Sequence, residues 1–169
     1  VSRSRRRGPL QPTEDGELVG WVEEVPPFGC APYTLGTANA PATISPRLDG
    51  NKEGTNILEN DPLLVCRSAN GEIERLYDKQ NQREVIKPGE HANRIIAYDD
   101  RPLKWDSWNL DAYYEEKSWP VQQVESIAIT ERGPVRDSVK NVRRLNGPRI
   151  TQTHRLYHAQ PRPHFSTQI

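Results

Sequence analysis

From residue 57 onward the chain is a succession of short runs in which apolar and polar residues alternate, each closed by Gly, Pro or Asn. Nowhere does a 3.6-residue apolar period persist for about ten residues. A chain patterned this way can bury its apolar side chains only by pairing strands. The runs expected as strands are 57–59, 63–67, 72–77, 83–86, 94–98, 121–130, 135–145 and 150–157, and an alternating segment at 164–169 ends the sequence. Asn70-Gly71, Pro88-Gly89, Pro102, Gly133-Pro134 and Asn146-Gly147-Pro148 supply the turns. A helix is expected only as a turn or two near 112–117. Many strands at short spacing argue for an all-β fold, an antiparallel β-sandwich.

The first third of the chain is different in kind. Residues 1–16 are polar and carry Arg3, Arg5, Arg6 and Arg7, and are expected to form a solvated arm or an interdomain connection. Nucleic-acid binding is not expected, since the net charge is +0 and no aromatic side chain is interleaved with the arginines. Short strands are expected at 21–25 and 33–35, around the Pro26-Pro27-Phe28-Gly29 turn. Residues 36–56, rich in Gly, Pro, Ala and Asn, read as a linker. The organisation expected is therefore a basic lead and small β-piece at 1–35, a linker at 36–56 and a β-domain at 57–169.

Leu, Ile, Val and Phe make up only about a fifth of the sequence, close to the level at which chains stop folding. Charge balance keeps this one from repelling itself. It reads as folded but poor in core, as expected of a piece whose other apolar partners lie elsewhere. The absence of Met and the unclosed alternating run at the end point the same way. No run approaches the roughly 20 apolar residues of a membrane-spanning helix. Cys30 and Cys66 are expected as free thiols. No Asn is followed two residues on by Ser or Thr, and a cytoplasmic location is expected.

The chemistry is concentrated in 98–119. This stretch holds half of the aromatic residues (Tyr98, Trp105, Trp108, Tyr113, Tyr114 and Trp119), together with Asp99, Asp100, Asp106, Asp111, Glu115 and Glu116. Flat rings stack on the C–H faces of a sugar and carboxylates accept from its hydroxyls, so Asp99, Arg101, Trp105, Asp106, Trp108, Asp111, Tyr113 and Tyr114 are the candidate site. The alternative is that the rings fill a core beneath a loop whose acids face water. A glycosidase needs two carboxylates roughly 5–5.5 Å apart for retention, and Asp106 with Asp111 or Asp99 is the pair a folded loop could bring together. In such a loop, acids more often cap turns or pair with neighbours such as Arg101 and Lys104. His154 and His158 share a strand face but lie about 13 Å apart, too far for one ion, and His154 is expected to be hydrogen-bonded and partly buried beside Ile150 and Leu156.

The run Arg101-Pro-Leu-Lys-Trp-Asp-Ser-Trp-Asn-Leu-Asp-Ala-Tyr-Tyr-Glu-Glu-Lys117 resembles a signature in the C-terminal half of glycoside hydrolase family 38 α-mannosidases. Leu58-Glu59-Asn60, Asn70-Gly71-Glu72-Ile73, Leu76-Tyr77-Asp78-Lys79, Glu131-Arg132-Gly133-Pro134-Val135-Arg136 and Arg149-Ile150-Thr151-Gln152-Thr153 are similar to further segments of that family, in the same order. The chain departs from the pattern at Asn109, usually Asp, and at His154, usually apolar. The resemblance implies the opening of a galactose-mutarotase-like β-supersandwich. It implies a parent enzyme that cleaves α-mannosides with retention, using zinc held in an N-terminal α/β domain. No catalytic or metal-binding residue is then expected in this chain. Its partners would be that catalytic domain and a mannose-containing oligosaccharide, with 98–119 lining or bracing the cleft. A free-standing carbohydrate-binding β-module using the same aromatics is the alternative.

Overall fold

The computed structural model describes residues 8–22, 25–36, 47–50, 56–104, 108–145, 147–158 and 160–169. Two antiparallel sheets carry the fold. The first has five strands in sequence order, β3 (Arg47–Gly50), β4 (Asn56–Glu59), β5 (Leu63–Arg67), β6 (Ile73–Asp78) and β7 (Arg83–Glu84). The second has four, β10 (Val124–Glu131), β11 (Arg136–Arg144), β12 (Arg149–Tyr157) and β13 (Pro163–Gln168). Two ribbons accompany them, β1 (Leu10–Pro12) with β2 (Leu18–Gly20), and β8 (Ile96–Tyr98) with β9 (Ser118–Pro120).

Alternation decides which side chains go inside. In β5, Leu63, Val65 and Arg67 are buried while Leu64 and Cys66 are only half-buried. Leu58, Leu63, Val65 and Ile73 from the first sheet meet Val139 and Leu156 from the second, and this cluster is the core that joins the two into a sandwich. Each such side chain contributes roughly 1.5–3 kcal/mol by leaving water. The expected all-β antiparallel sandwich is what the chain forms, and the only helical element among the described residues is a 3₁₀ turn at Ala112–Glu116.

One motif ties the two sheets together and another locks strands within the second. Asn60, between β4 and β5, donates from Nδ2 to the carbonyls of Tyr157 (2.6 Å) and Gln160 (3.0 Å) and accepts from Leu63 N at 2.8 Å. At the end of β10 a register shift brings Glu131 onto Arg136, which donates to it through Nε (2.6 Å) and Nη2 (2.7 Å) and to Tyr157 Oη through Nη1 (2.9 Å). Burial would raise the Glu131 carboxyl, but the hydrogen bonds from Arg136 and Ser138 prevail and hold it below the usual range.

The amino-terminal third corrects several expectations. Residues 8–16 are not a solvated arm, for β1 and β2 form a hairpin whose Gln11, 1% exposed, accepts from the amides of Val135 and Arg136 and donates to Arg136 O. Strands were expected at 21–25 and 33–35, yet Trp21, Val22 and Tyr33 to Leu35 join no sheet, and residues 23–24 lie outside the described set. Pro26, Pro27 and Pro32 lack the amide hydrogens a ladder needs. Arg47–Gly50, within the stretch read as linker, is the edge strand of the first sheet. The arginines at 3 and 5–7 lie outside the described residues.

Candidate functional site

The candidate loop is carried by the β8–β9 ribbon, in which Ile96 faces Pro120 and Tyr98 faces Ser118. The amide of Asp99 donates to Lys117 O at 2.9 Å and closes the loop's neck. Its carboxylate accepts from Arg101 Nε (3.0 Å) and Lys117 Nζ (3.1 Å), which hold it below the usual carboxylate range, Lys117 contributing most. Asp111 accepts from Leu103 N (2.9 Å) and from Asn109 Nδ2 (2.8 Å). Residue 109 can make that second bond because it is an amide; a carboxylate there would have no proton to donate. Tyr98 and Tyr114 meet edge to face at 5.1 Å, and Tyr114 Oη donates to Glu115, which raises its pKa.

These contacts gather Asp99, Arg101, Asp111, Tyr113 and Tyr114 around a cavity of about 190 Å³, completed by Asp100 and Leu103. It is smaller than the roughly 300–1,000 Å³ of a drug-sized site. Trp108 and Tyr113 are 91% and 68% exposed, so they fill no core within this chain. Leu103 and Leu110 are exposed as well, so the loop presents an apolar surface. Trp105 and Asp106 lie outside the described residues. Asp99 and Asp111 are committed to local donors, and Asp99 is stabilised as an anion, opposite to what a general acid requires. Among the described residues no three His, Cys, Asp or Glu side chains are grouped to hold a metal ion.

A second polar constellation lies inside the sandwich, and the motif reading did not find it. Asn93, held at φ 57° as Asn tolerates, exchanges amide hydrogen bonds with Gln152 (3.0 and 3.2 Å) and lies 3.3 Å from His154 Nε2. His154 is 2% exposed and packs edge to face on Phe165 at 4.7 Å. It is buried and hydrogen-bonded, as the sequence reading anticipated, and more deeply than expected. Burial, with the charges of Arg67 and Arg143, pushes its pKa down to about 3. Arg67, Asn141 and Arg143 are buried beside it, and burial lowers Arg67 to about 10. The signal available in the sequence was the inward register of β11, where Asp137, Val139, Asn141 and Arg143 fall on one face.

Comparison with known proteins places this architecture. Residues 58–169 match the family model described as glycosyl hydrolases family 38 C-terminal domain. Alpha-mannosidase G of Dictyostelium discoideum is 31% identical over 137 residues, covering 75% of this chain and 12% of that protein. The alpha-mannosidases 2C1 of Mus musculus and Homo sapiens are 30% and 29% identical over 122 residues, covering 68% of this chain and 11% of each relative. The chain thus spans about a tenth of the length of the relatives it matches. With the motifs in order, antiparallel sheets throughout and the match running across both sheets, this chain belongs to the family of glycosyl hydrolase family 38 C-terminal domains.

Proposed function

We propose that this chain is a non-catalytic C-terminal β-domain piece of an α-mannosidase, and that its 98–119 loop packs against the catalytic part of the same protein and braces the mannoside-binding cleft. In this reading the parent hydrolyses terminal α-mannosides with retention, in the cytoplasm. The catalytic carboxylates and the zinc ion belong to an N-terminal domain outside this chain. The two sheets open the supersandwich, with Arg47–Gly50 as the edge strand of the first and the β1–β2 hairpin docked on the second.

The observation that carries the reading is the loop's division of labour. Two of its carboxylates are bonded within the loop, Asp99 to Arg101 and Lys117 and Asp111 to Leu103 and Asn109, while Leu103, Trp108, Leu110 and Tyr113 are exposed. A loop with Asp99 and Asp111 engaged by local donors and its apolar groups exposed suits contact with another protein surface and the face of a sugar better than acid–base work.

The test is kinetic and uses the full-length protein. Trp108→Ala and Tyr113→Ala are expected to lower kcat/KM for a chromogenic α-mannoside by about tenfold each, the loss of roughly 1.4 kcal/mol of contact, with the melting temperature of the whole protein unchanged. Unchanged kinetics in both variants would remove the bracing role. Millimolar or tighter binding of mannose by the separate chain would favour the free-standing carbohydrate-binding module.

A further inference from the structure

Inside the sandwich two positive charges lie within electrostatic reach of each other, and neither is bonded to a negative one. Arg67 and Arg143 are 0% and 1% exposed. Among the described residues no nitrogen of either guanidinium has a hydrogen-bond partner, and neither polar atom of the Asn141 amide has one. Both arginines occupy inward positions, Arg67 after Leu63 and Val65 on β5, Arg143 after Val139 and Asn141 on β11. Gly71 brings the β5–β6 turn onto the same spot, since a Cβ there would fall 1.8 Å from Asn141 Nδ2 and 3.1 Å from Arg143 Nη2.

Arginine keeps its proton in proteins, so the pair cannot discharge itself. Buried like charges are costly unless an opposite charge compensates them. Glu72 lies near enough to favour the charge of Arg143, yet it forms no hydrogen bond to either guanidinium. Glu72 lies 2.9 Å from His91 Nδ1 and 4.0 Å from Arg94 Nε, and Asp137, whose Oδ1 accepts from Gly133 N while its Oδ2 has no partner among the described residues, lies six residues from Arg143 along β11, about 20 Å away. His154, the remaining titratable neighbour, is held by Asn93 and Gln152.

We propose that Arg67, Asn141 and Arg143 form an oxyanion site that takes a carboxylate, phosphate or sulfate group between the two guanidinium forks, with the Asn141 amide as a third donor. Guanidinium forks match the two-oxygen edge of such groups. The group has two sources, a small anion from solution or a carboxylate side chain of the full-length protein from beyond this chain. The chemistry is the same for both.

The experiment is hydrogen exchange of peptides spanning 63–72 and 139–154 in the full-length protein, in sodium phosphate and in sodium chloride at equal ionic strength. The variants are Arg143→Met, Arg143→Lys and the double Arg67→Met with Arg143→Met. Phosphate slowing exchange about tenfold in the wild type, and not in Arg143→Met, establishes a site filled from solution. Exchange insensitive to phosphate but accelerated at least about a hundredfold in Arg143→Met and in the double variant, and largely kept in Arg143→Lys, establishes a tethered carboxylate. A phosphate effect that survives in Arg143→Met means an adventitious ion only and overturns the proposal. So does a double variant that, without any phosphate effect, exchanges as slowly as the wild type. Equal acceleration in Arg143→Lys and Arg143→Met would reduce the arginine to packing and overturn it too.

Discussion

Replacing Asn60 by Ala removes three hydrogen bonds at the point where the two sheets are tied. Its Nδ2 holds the carbonyls of Tyr157 and Gln160 at the end of the second sheet, and its Oδ1 holds the amide of Leu63, the first core residue of β5. Asn60 is 4% exposed, so water does not readily replace these bonds. At about 1 kcal/mol net for each, the loss is about 3 kcal/mol, with the orphaned Leu63 amide adding to it. Asn60→Asp is the informative companion. It keeps the acceptor for Leu63 N but points a carboxylate at two carbonyl oxygens, so it is expected to match or exceed the Ala variant at pH 7 and to recover in part near pH 4, where the acid can donate. The assay is local opening free energy from hydrogen exchange over peptides 56–67 and 149–160 in the full-length protein. A loss below about 1 kcal/mol for Asn60→Ala, or an Asp variant as stable as wild type at pH 7, would refute the reasoning.

Other expectations follow from single contacts. His154 stays neutral in the fold down to about pH 3, whereas an unfolded His protonates near 6.5. Its contribution is therefore present above about 6.5 and lost as pH falls, and the stability gap between wild type and His154→Gln should shrink by about 1.4 kcal/mol per unit on acidification through this window. Asp137 has the opposite sign: burial raises its pKa from 3.8 to about 6, so its contribution is present below about 4 and lost as pH rises to 6. Urea midpoints across pH 3–7 for wild type, His154→Gln and Asp137→Asn separate the two. Gly71→Ala combines a φ of 78° with a methyl group 1.8 Å from Asn141 Nδ2 and should cost about 3 kcal/mol, read as a lowered urea midpoint. Asn109→Asp places a second carboxylate beside Asp111 and should weaken the loop by about 0.5–1 kcal/mol at low salt and less at high salt, measured by exchange at the Leu103 amide.

The carboxyl-terminal two thirds was legible because its strands alternate cleanly and its turns are written in Gly, Pro and Asn. Leu63–Arg67 was read to the residue, and Asn70-Gly71 and Pro88-Gly89 turn where expected, with Gly71 and Gly89 at φ 78° and 83°. The β1–β2 hairpin was not legible, because its docking rests on polar contacts of Gln11 and Glu14, and its strand side chains are mostly exposed. A polar lead and a hairpin held by backbone hydrogen bonds look alike in composition. The buried arginines were missed for a related reason. An inward polar residue at period two is indistinguishable from an outward one until the face is known, and Arg143 sits on the face of Val139 rather than that of Val142. In the loop, which carboxylates stay available depends on Arg101, Lys117 and Asn109, partners set by the folded path of the chain and not by residue type.

The most direct measurement of the central claim is hydrolysis of a chromogenic α-mannoside by the full-length protein and by this chain alone, each with zinc and with chelator. Activity in the full-length protein only, lost on chelation, is the expected result and places the chemistry outside this β-domain. Turnover by the chain alone would contradict the account and return the search to Asp99, Asp106 and Asp111.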